Sequence, residues 1–493
     1  MIRGSGILCH ISSLPAPFGI GDLGSNAYKF VDFLKETGQS FLQILPLNPT
    51  ESFYGNSPYH GISALAGNPL FISPEGLLNE GLISPADISD IPKFSEREVD
   101  FESVINFKKR VFDIAYNNFK VGCEFKAFVR RNSWWLEDFA LFSALKRRFK
   151  DTSWGDWPKD LRDRNPSLIE AQKKELEQDI LREEFLQFIF DKQWKDFKSY
   201  CNERGIHIIG DIPIYVDYDS VDVWMYPQIF KLDSNKKPIA VSGVPPDYFS
   251  STGQLWGNPV YNWEIMAENR FDFWIRRFKR MLELTDIIRI DHFRGLVAYW
   301  EVPYGEKTAM NGKWVDVPVY EFFDTLFHRF SKLPVIAEDL GVITPDVREV
   351  IRHYGFPGMK VLLFAFGDED PHNLYLPHMY EKNSVVYTGT HDNNTALGWF
   401  ETEANDREKK RFFSYVGRDV PHNLINREFI RLAMSSVSNI AIIPIQDVLG
   451  LDASSRMNTP ARNTGNWQFR FTQDMLNDDI KMYLRDITHI YGR

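Results

Sequence analysis

Asp286-Ile-Ile-Arg-Ile-Asp-His-Phe-Arg-Gly295 is a short β-branched run that delivers an arginine, an aspartate and a histidine together at its end. Arg and Asp embedded between isoleucines read as the end of a buried strand that opens into a site rather than as surface charge. Two other runs finish in the same way, Pro334-Val-Ile-Ala-Glu-Asp-Leu-Gly341 and Ser384-Val-Val-Tyr-Thr-Gly-Thr-His-Asp-Asn393. Together they offer three carboxylates, Asp291, Glu338 and Asp392, to one pocket. Working outward, short apolar runs bounded by turn residues recur at Gly6 to Ile11, Phe41 to Leu47, His207 to Val216, Asp286 to Phe293, Pro334 to Leu340, Met359 to Phe366, Ser384 to Asp392 and Asn439 to Leu449. Amphipathic helical stretches separate most of them, among them Ala27 to Thr37, Leu186 to Arg204, Phe271 to Leu284 and Val319 to Phe330. Strand alternating with helix predicts a parallel sheet, and eight such units predict an α/β fold closed as a (β/α)8 barrel. Sites in such barrels lie at the carboxyl ends of the strands, which is where the charged residues fall.

The 493 residues are hydrophobic at 43% and charged at 25%, which disfavours disorder. A formal charge of -10 without a basic cluster argues against nucleic acid, whose binding relies on Lys and Arg neutralising phosphates. No apolar run approaches the roughly 20 residues of a membrane span, and Met-Ile-Arg-Gly-Ser-Gly at the start has no apolar signal core, so a cytoplasmic protein is expected. Cys9, Cys123 and Cys201 are odd in number, widely spaced and without a C-x-x-C, which predicts reduced thiols and no zinc knuckle. The aromatic share of 15%, with 13 Trp, reads first as core and only weakly as ligand platform.

Spacing between the runs is uneven. Residues 48–206 carry their own helical signals, such as Trp134 to Leu145, and predict a mostly helical subdomain inserted between strands two and three. Residues 217–284 form a second insertion. Within it, Gly243-Val-Pro-Pro-Asp-Tyr-Phe-Ser-Ser-Thr-Gly-Gln-Leu-Trp-Gly-Asn-Pro259 holds too many breakers for a helix or strand and is expected to be a loop over the site. Past Leu449 only 44 residues remain, enough for a closing helix and too few for a C-terminal β-sandwich. The chain therefore reads as a single barrel, 1–493, with insertions.

Two carboxyl groups flanking a glycosidic bond suffice for its cleavage or transfer, one attacking and one protonating the leaving oxygen. In Arg289-Ile-Asp291, strand alternation puts both side chains on one face, where the guanidinium can hold the carboxylate ionised as a nucleophile. Glu338 follows Val-Ile-Ala, an apolar setting that raises a carboxyl pKa and suits a general acid, while its neighbour Asp339 points the other way. A retaining pair predicts carboxyl groups about 5 to 5.5 Å apart. Asp392 with His391 can hydrogen-bond sugar hydroxyls. Each position also has a structural reading: an ion pair for Asp291, solvated charge for Glu338-Asp339, a polar cap for His391-Asp392, and satisfaction of barrel groups for Asp211. A metal-dependent barrel using Asp211, Asp291, His292, Glu338 and His391 is the competing chemistry, weakened because the first strand offers a lone His10 and no His-x-His pair.

Gly210-Asp-Ile-Pro-Ile-Tyr-Val216, Arg289-Ile-Asp-His292, Glu338 and His391-Asp392 resemble the four conserved segments of the α-amylase superclass. The chain is more closely similar to 4-α-glucanotransferases of the amylomaltase (disproportionating enzyme) family. The motifs are Asn56-Ser-Pro-Tyr59, Trp135-Leu-Glu-Asp138, Val244-Pro-Pro-Asp-Tyr-Phe249, Gly253-Gln-Leu-Trp-Gly-Asn-Pro259, Arg289-Ile-Asp-His-Phe-Arg-Gly295, Ala337-Glu-Asp-Leu-Gly341, Gly389-Thr-His-Asp-Asn393 and Arg456-Met-Asn458. The resemblance implies Asp291 as nucleophile, Glu338 as acid/base and Asp392 as transition-state stabiliser. It implies sugar contacts from Tyr59, Asp247, Trp256, His292 and His391, with Arg289 and Asp211 supporting the nucleophile. It implies no organic cofactor and no metal, and α-1,4-glucan as both donor and acceptor. Ser251 and Ala461 depart from the commoner Ala and Gly of the family and leave the chemistry intact. An α-glucan hydrolase would share all three carboxylates and differ only in whether water or a sugar hydroxyl reaches the glycosyl-enzyme.

Overall fold

The computed structural model describes residues 3–246, 250–462 and 464–493. Twelve strands are present among them: β1 (Gly4–Leu8), β2 (Phe41–Gln43), β3 (His207–Ile212), β4 (Ala240–Val244), β5 (Gln254–Pro259), β6 (Ile287–Ile290), β7 (Ala298–Pro303), β8 (Lys313–Asp316), β9 (Val335–Ala337), β10 (Gly358–Val361), β11 (Ser384–Tyr387) and β12 (Ile440–Pro444). Eight of them close a parallel barrel in the order β1, β2, β3, β6, β9, β10, β11, β12, with β12 returning to β1 through Gly4 opposite Ile440. Each of the eight apolar runs supplies one barrel strand. The strands are shorter than the runs because the apolar residues continue past the last ladder bond into the turns that build the site.

Helices cover the barrel, including Ser25–Glu36 after β1, Asp272–Leu284 before β6, Val319–Arg329 before β9, Pro345–Tyr354 before β10 and Ile425–Ser435 before β12. Each buries one apolar stripe: Phe30, Phe33 and Leu34 in the first, Phe273, Trp274 and Phe278 in the second. Between β10 and β11 the described residues hold only single 3₁₀ turns, so strand and helix do not alternate there. Between β2 and β3 lie Phe101–Asn118, Cys123–Arg148, Pro166–Glu175 and Glu177–Glu203. These long helices meet through aromatic side chains; Phe119 approaches Phe185 at 4.7 Å between centroids, and Phe125 and Phe128 both contact Phe188.

The stretch 243–259, expected to be too broken for a strand, contains the end of β4 and all of β5. β5, β4, β7 and β8 form an antiparallel sheet in that order, with Gly243 opposite both Leu255 and Trp300, and Trp300 opposite Trp314. The register shifts between Val241 and Gly243, a bulge that absorbs the irregular sequence. β5 is an edge strand, and Pro259, which has no N–H to donate, stands at its end. Gly253 (φ +68°) and Gly257 (φ +83°) take left-handed conformations that bend the chain on either side of Trp256. After β12 the described residues carry no further strand and end on the helix Asp478–Ile490.

Candidate active site

The parallel register places Asp211 of β3 directly opposite Arg289 of β6, so their side chains meet inside the barrel mouth. Arg289 Nη1 donates to both oxygens of Asp211, at 2.8 and 2.6 Å, and Nη2 reaches Asp291 Oδ1 at 2.9 Å. One buried guanidinium thus holds two carboxylates. Burial alone would push the Arg289 pKa down; the charges of Asp211 and Asp291 outweigh it and hold the group well above its ordinary value. Tyr59, arriving from the segment after β2, donates its hydroxyl to Asp211 Oδ2 at 2.7 Å.

Glu338 stands one residue beyond β9. Its Oε2 accepts the His292 N–H at 2.7 Å and its Oε1 the Leu340 N–H at 3.0 Å. Main-chain bonds lace the neighbourhood further, from Asp291 N to Ile212 O at 3.0 Å, from Glu338 N to Ile290 O at 3.1 Å and from Phe293 N to Glu338 O at 3.1 Å. His292 adopts a left-handed conformation (φ +50°), which turns its N–H toward Glu338. Burial first, and then the negative charge of Asp291, push the Glu338 carboxyl up to about 8, against the opposing pull of Arg289 and the two N–H groups. At neutral pH it holds a proton. Burial pushes the His292 imidazole down to about 4, so it is neutral at pH 7. Asp339 turns away from the cleft and accepts the Met359 N–H at 2.7 Å, bracing β10.

Beyond β11, Asp392 Oδ2 lies 3.3 Å from His391 Nε2, and Oδ1 accepts from Asn458 Nδ2 at 2.6 Å. The surrounding protein mass would raise the Asp392 pKa, but the His391 charge and the His391 and Asn458 hydrogen bonds reverse this and bring it to about 2. Its side chain keeps 44% of its surface open to the cleft. The His391 ring stacks on Tyr59 at 5.0 Å and 17°, and its Nδ1 lies 3.5 Å from the Tyr59 hydroxyl. Two chains of polar contact therefore converge on Tyr59: one runs through Asp211 and Arg289 to Asp291, the other through His391 to Asp392.

From the antiparallel sheet, Trp256 sets its ring at 85° to that of His292, 4.8 Å between centroids. That contact places β5 over the turn following Asp291. Asp247 lies outside the described residues. The residues named from the sequence as Asp211, Arg289, Asp291, His292, Glu338, Tyr59, His391, Asp392 and Trp256 are thus joined in one connected cluster. Asn458 belongs to the Arg456-Met-Asn458 motif, in which the sequence assigns it no role; its bond to Asp392 spans 66 positions, a pairing no local pattern signals. A carboxylate paired with a guanidinium, beside a carboxylic acid that burial keeps protonated and with hydrogen-bonding groups around both, is the equipment for breaking a glycosidic bond with acid assistance.

A family profile described as 4-alpha-glucanotransferase matches residues 9–476. The chain is 48% identical to the 4-alpha-glucanotransferase of Synechocystis sp., covering all of this chain and 98% of that one. It is 46% identical to the 4-alpha-glucanotransferase of Aquifex aeolicus over the whole of both chains. Among solved structures, the amylomaltase from Streptococcus agalactiae in complex with acarbose superposes with a TM-score of 0.96 at 40% identity, covering 100% of this chain and 99% of that one.

Proposed function

Since the chain belongs to the 4-alpha-glucanotransferase family, an enzyme family that transfers glucan segments between 1,4-α-glucans, we propose that Asp291, Glu338 and Asp392 carry that transfer here by double displacement. Glu338 donates its proton to the glycosidic oxygen of the donor while the Asp291 carboxylate attacks C1, which releases the donor's reducing-end portion and leaves a glycosyl-enzyme ester. Glu338, now ionised, takes the proton from the 4-hydroxyl of an incoming glucan or glucose. That oxygen attacks C1 and frees Asp291, with overall retention of configuration. Asp392 and His391 hydrogen-bond the sugar hydroxyls and favour the distorted ring of the transition state. Tyr59, His292 and Trp256, with Asp247, contact glucosyl units, and Arg289 and Asp211 orient Asp291.

The observation that carries this reading is the opposition of two environments on adjacent strands: Arg289 pairs with Asp291, while burial keeps Glu338 protonated up to about pH 8. The substrates are α-1,4-glucans such as maltooligosaccharide and amylose, and acarbose, the ligand of the S. agalactiae enzyme, should occupy the same cleft. A cytoplasmic site of action fits three free cysteines, two of them buried. Among the described residues no helix is long and apolar enough to cross a membrane.

Incubation with maltotriose followed by product sizing tests the proposal. Glucose and longer oligosaccharides are expected while the number of reducing ends stays nearly constant. Asp291→Asn should abolish turnover, and Glu338→Gln should keep part of it with a glucosyl fluoride donor, whose leaving group needs no proton. Turnover by Asp291→Asn at the wild-type rate would remove the nucleophile from the scheme.

A further inference from the structure

Arg456 and Asn458 lie in the loop that follows β12, yet both act on the loop that follows β11. Arg456 Nη2 donates to the main-chain oxygen of Asp392 at 2.6 Å, and Nε donates to the main-chain oxygen of Asn458 at 2.8 Å. Nη1 is anchored on Glu403 Oε1 at 3.0 Å. The main chains of the two loops also meet directly, through Asn458 N and His391 O at 3.1 Å. Glu403 closes a single π-helical turn, Trp399–Glu403, a local form that recurs at functional sites, and the Asn394 amide holds the same Glu403 oxygen at 3.0 Å.

A guanidinium presents its N–H groups in a fixed planar fork, so three acceptors on three separate segments are locked at set distances and angles. Two of those acceptors bracket one functional contact: Asp392 O lies behind the carboxylate, and Asn458 O behind the amide that donates to Asp392 Oδ1. The spacing of that 2.6 Å bond is therefore imposed from the rear of the site. We infer that Arg456, braced by Glu403, is a positioning residue for Asp392 in glucan transfer. The inference rests on the reading of Asp392 as the group that stabilises the transition state. A small displacement of such a group is costly, because about 1 Å of misplacement can lower a rate about 100-fold.

Maltotriose kinetics on Arg456→Ala, Arg456→Lys and Glu403→Gln test this, with Asp392→Asn as background. Arg456→Ala should lower kcat about 100-fold with KM within about threefold, and Lys should restore part of the loss. Glu403→Gln keeps an acceptor oxygen but loses charge assistance, and should lower kcat about threefold to tenfold with an unchanged thermal midpoint. The deciding measurement is the double-mutant cycle, followed with a glucosyl fluoride donor. Arg456→Ala should remove almost nothing further from the residual rate of Asp392→Asn. An equal fold-loss in both backgrounds, or an unchanged kcat for both Arg456→Ala and Glu403→Gln beside an inactive Asp392→Asn, overturns the inference and leaves the reading of Asp392 standing. Wild-type turnover by Asp392→Asn overturns both.

Discussion

Glu338→Gln converts the unusual carboxyl into a group that cannot titrate, and its consequence for stability follows from the structure. In the folded protein Glu338 keeps its proton up to about pH 8, whereas an ordinary glutamate releases it near 4.5. Between those values the folded state holds more protons than the unfolded one, so wild-type stability is complete below pH 4.5 and falls as pH rises through that window. At 1.36 kcal/mol per pH unit the loss at pH 7 amounts to about 3 kcal/mol. The glutamine variant has no such loss. It has a different cost: each Glu338 oxygen accepts one main-chain N–H, and an NH₂ facing either His292 or Leu340 leaves that donor unmet, at about 1–3 kcal/mol at every pH. The diagnostic quantity is therefore the slope of the stability difference with pH rather than its value at any one pH. Urea denaturation of both proteins from pH 4.5 to 8 should show the variant gaining about 3 kcal/mol on the wild type by pH 7. With an unfolding entropy of about 2.1 cal/mol/K per residue over 493 residues, that gain is about 3 °C in Tm. In the same range kcat/KM of the wild type should fall with rising pH near 8, as the protonated acid is lost. A stability difference that stays constant with pH would show that Glu338 titrates as an ordinary glutamate and would refute the reasoning.

Tyr59→Phe removes the hydroxyl from buried Asp211 and from His391, and should lower stability by about 1–3 kcal/mol together with kcat, read by urea denaturation and maltotriose turnover. Trp256→Ala should lower transfer more than hydrolysis, because water needs no stacking platform and an incoming glucosyl unit does; the ratio of reducing ends formed to glucose released should rise. Gly6→Ala should destabilise the barrel by about 1–3 kcal/mol in urea, since a Cβ there would overlap the Phe41 carbonyl and Cβ across the β1–β2 pairing.

The barrel was legible because its eight strands are buried, and burial forces isoleucine and valine runs such as Ile287 to Ile290 that stand out from their surroundings. The carboxylates were legible for the same reason, as charge directly after such a run. The antiparallel sheet was not. Its strands are held by pairing with one another: β8 presents Lys313, Trp314 and Asp316 to solvent, and β4 and β5 carry glycine and proline that a bulge and an edge position accommodate. No periodicity announces such strands. Contacts that tune the site were hidden by distance along the chain, since Tyr59 and Asp211 are 152 positions apart and Asp392 and Asn458 are 66 apart. Strand alternation did anticipate the Arg289–Asp291 pair, because Asp291 directly follows β6 and residues two apart on an extended chain face the same way without tertiary knowledge.

The lacing around β6 and β9 has an outcome for how this catalyst can change. The bonds from Asp291 N, His292 N, Phe293 N and Glu338 N all begin at main-chain nitrogens, and the first, third and fourth also end on main-chain oxygens. The main chain that carries the proposed nucleophile and acid is therefore held largely by its own bonds rather than by the side chains proposed to contact sugar. On the proposed reading, rebuilding Trp256 and the sheet that carries it should change which acceptors are taken while the product keeps its α-linkage. A library confined to β4 and β5 should therefore diversify acceptor choice without disturbing stereochemistry, so that the two would be inherited as separate traits.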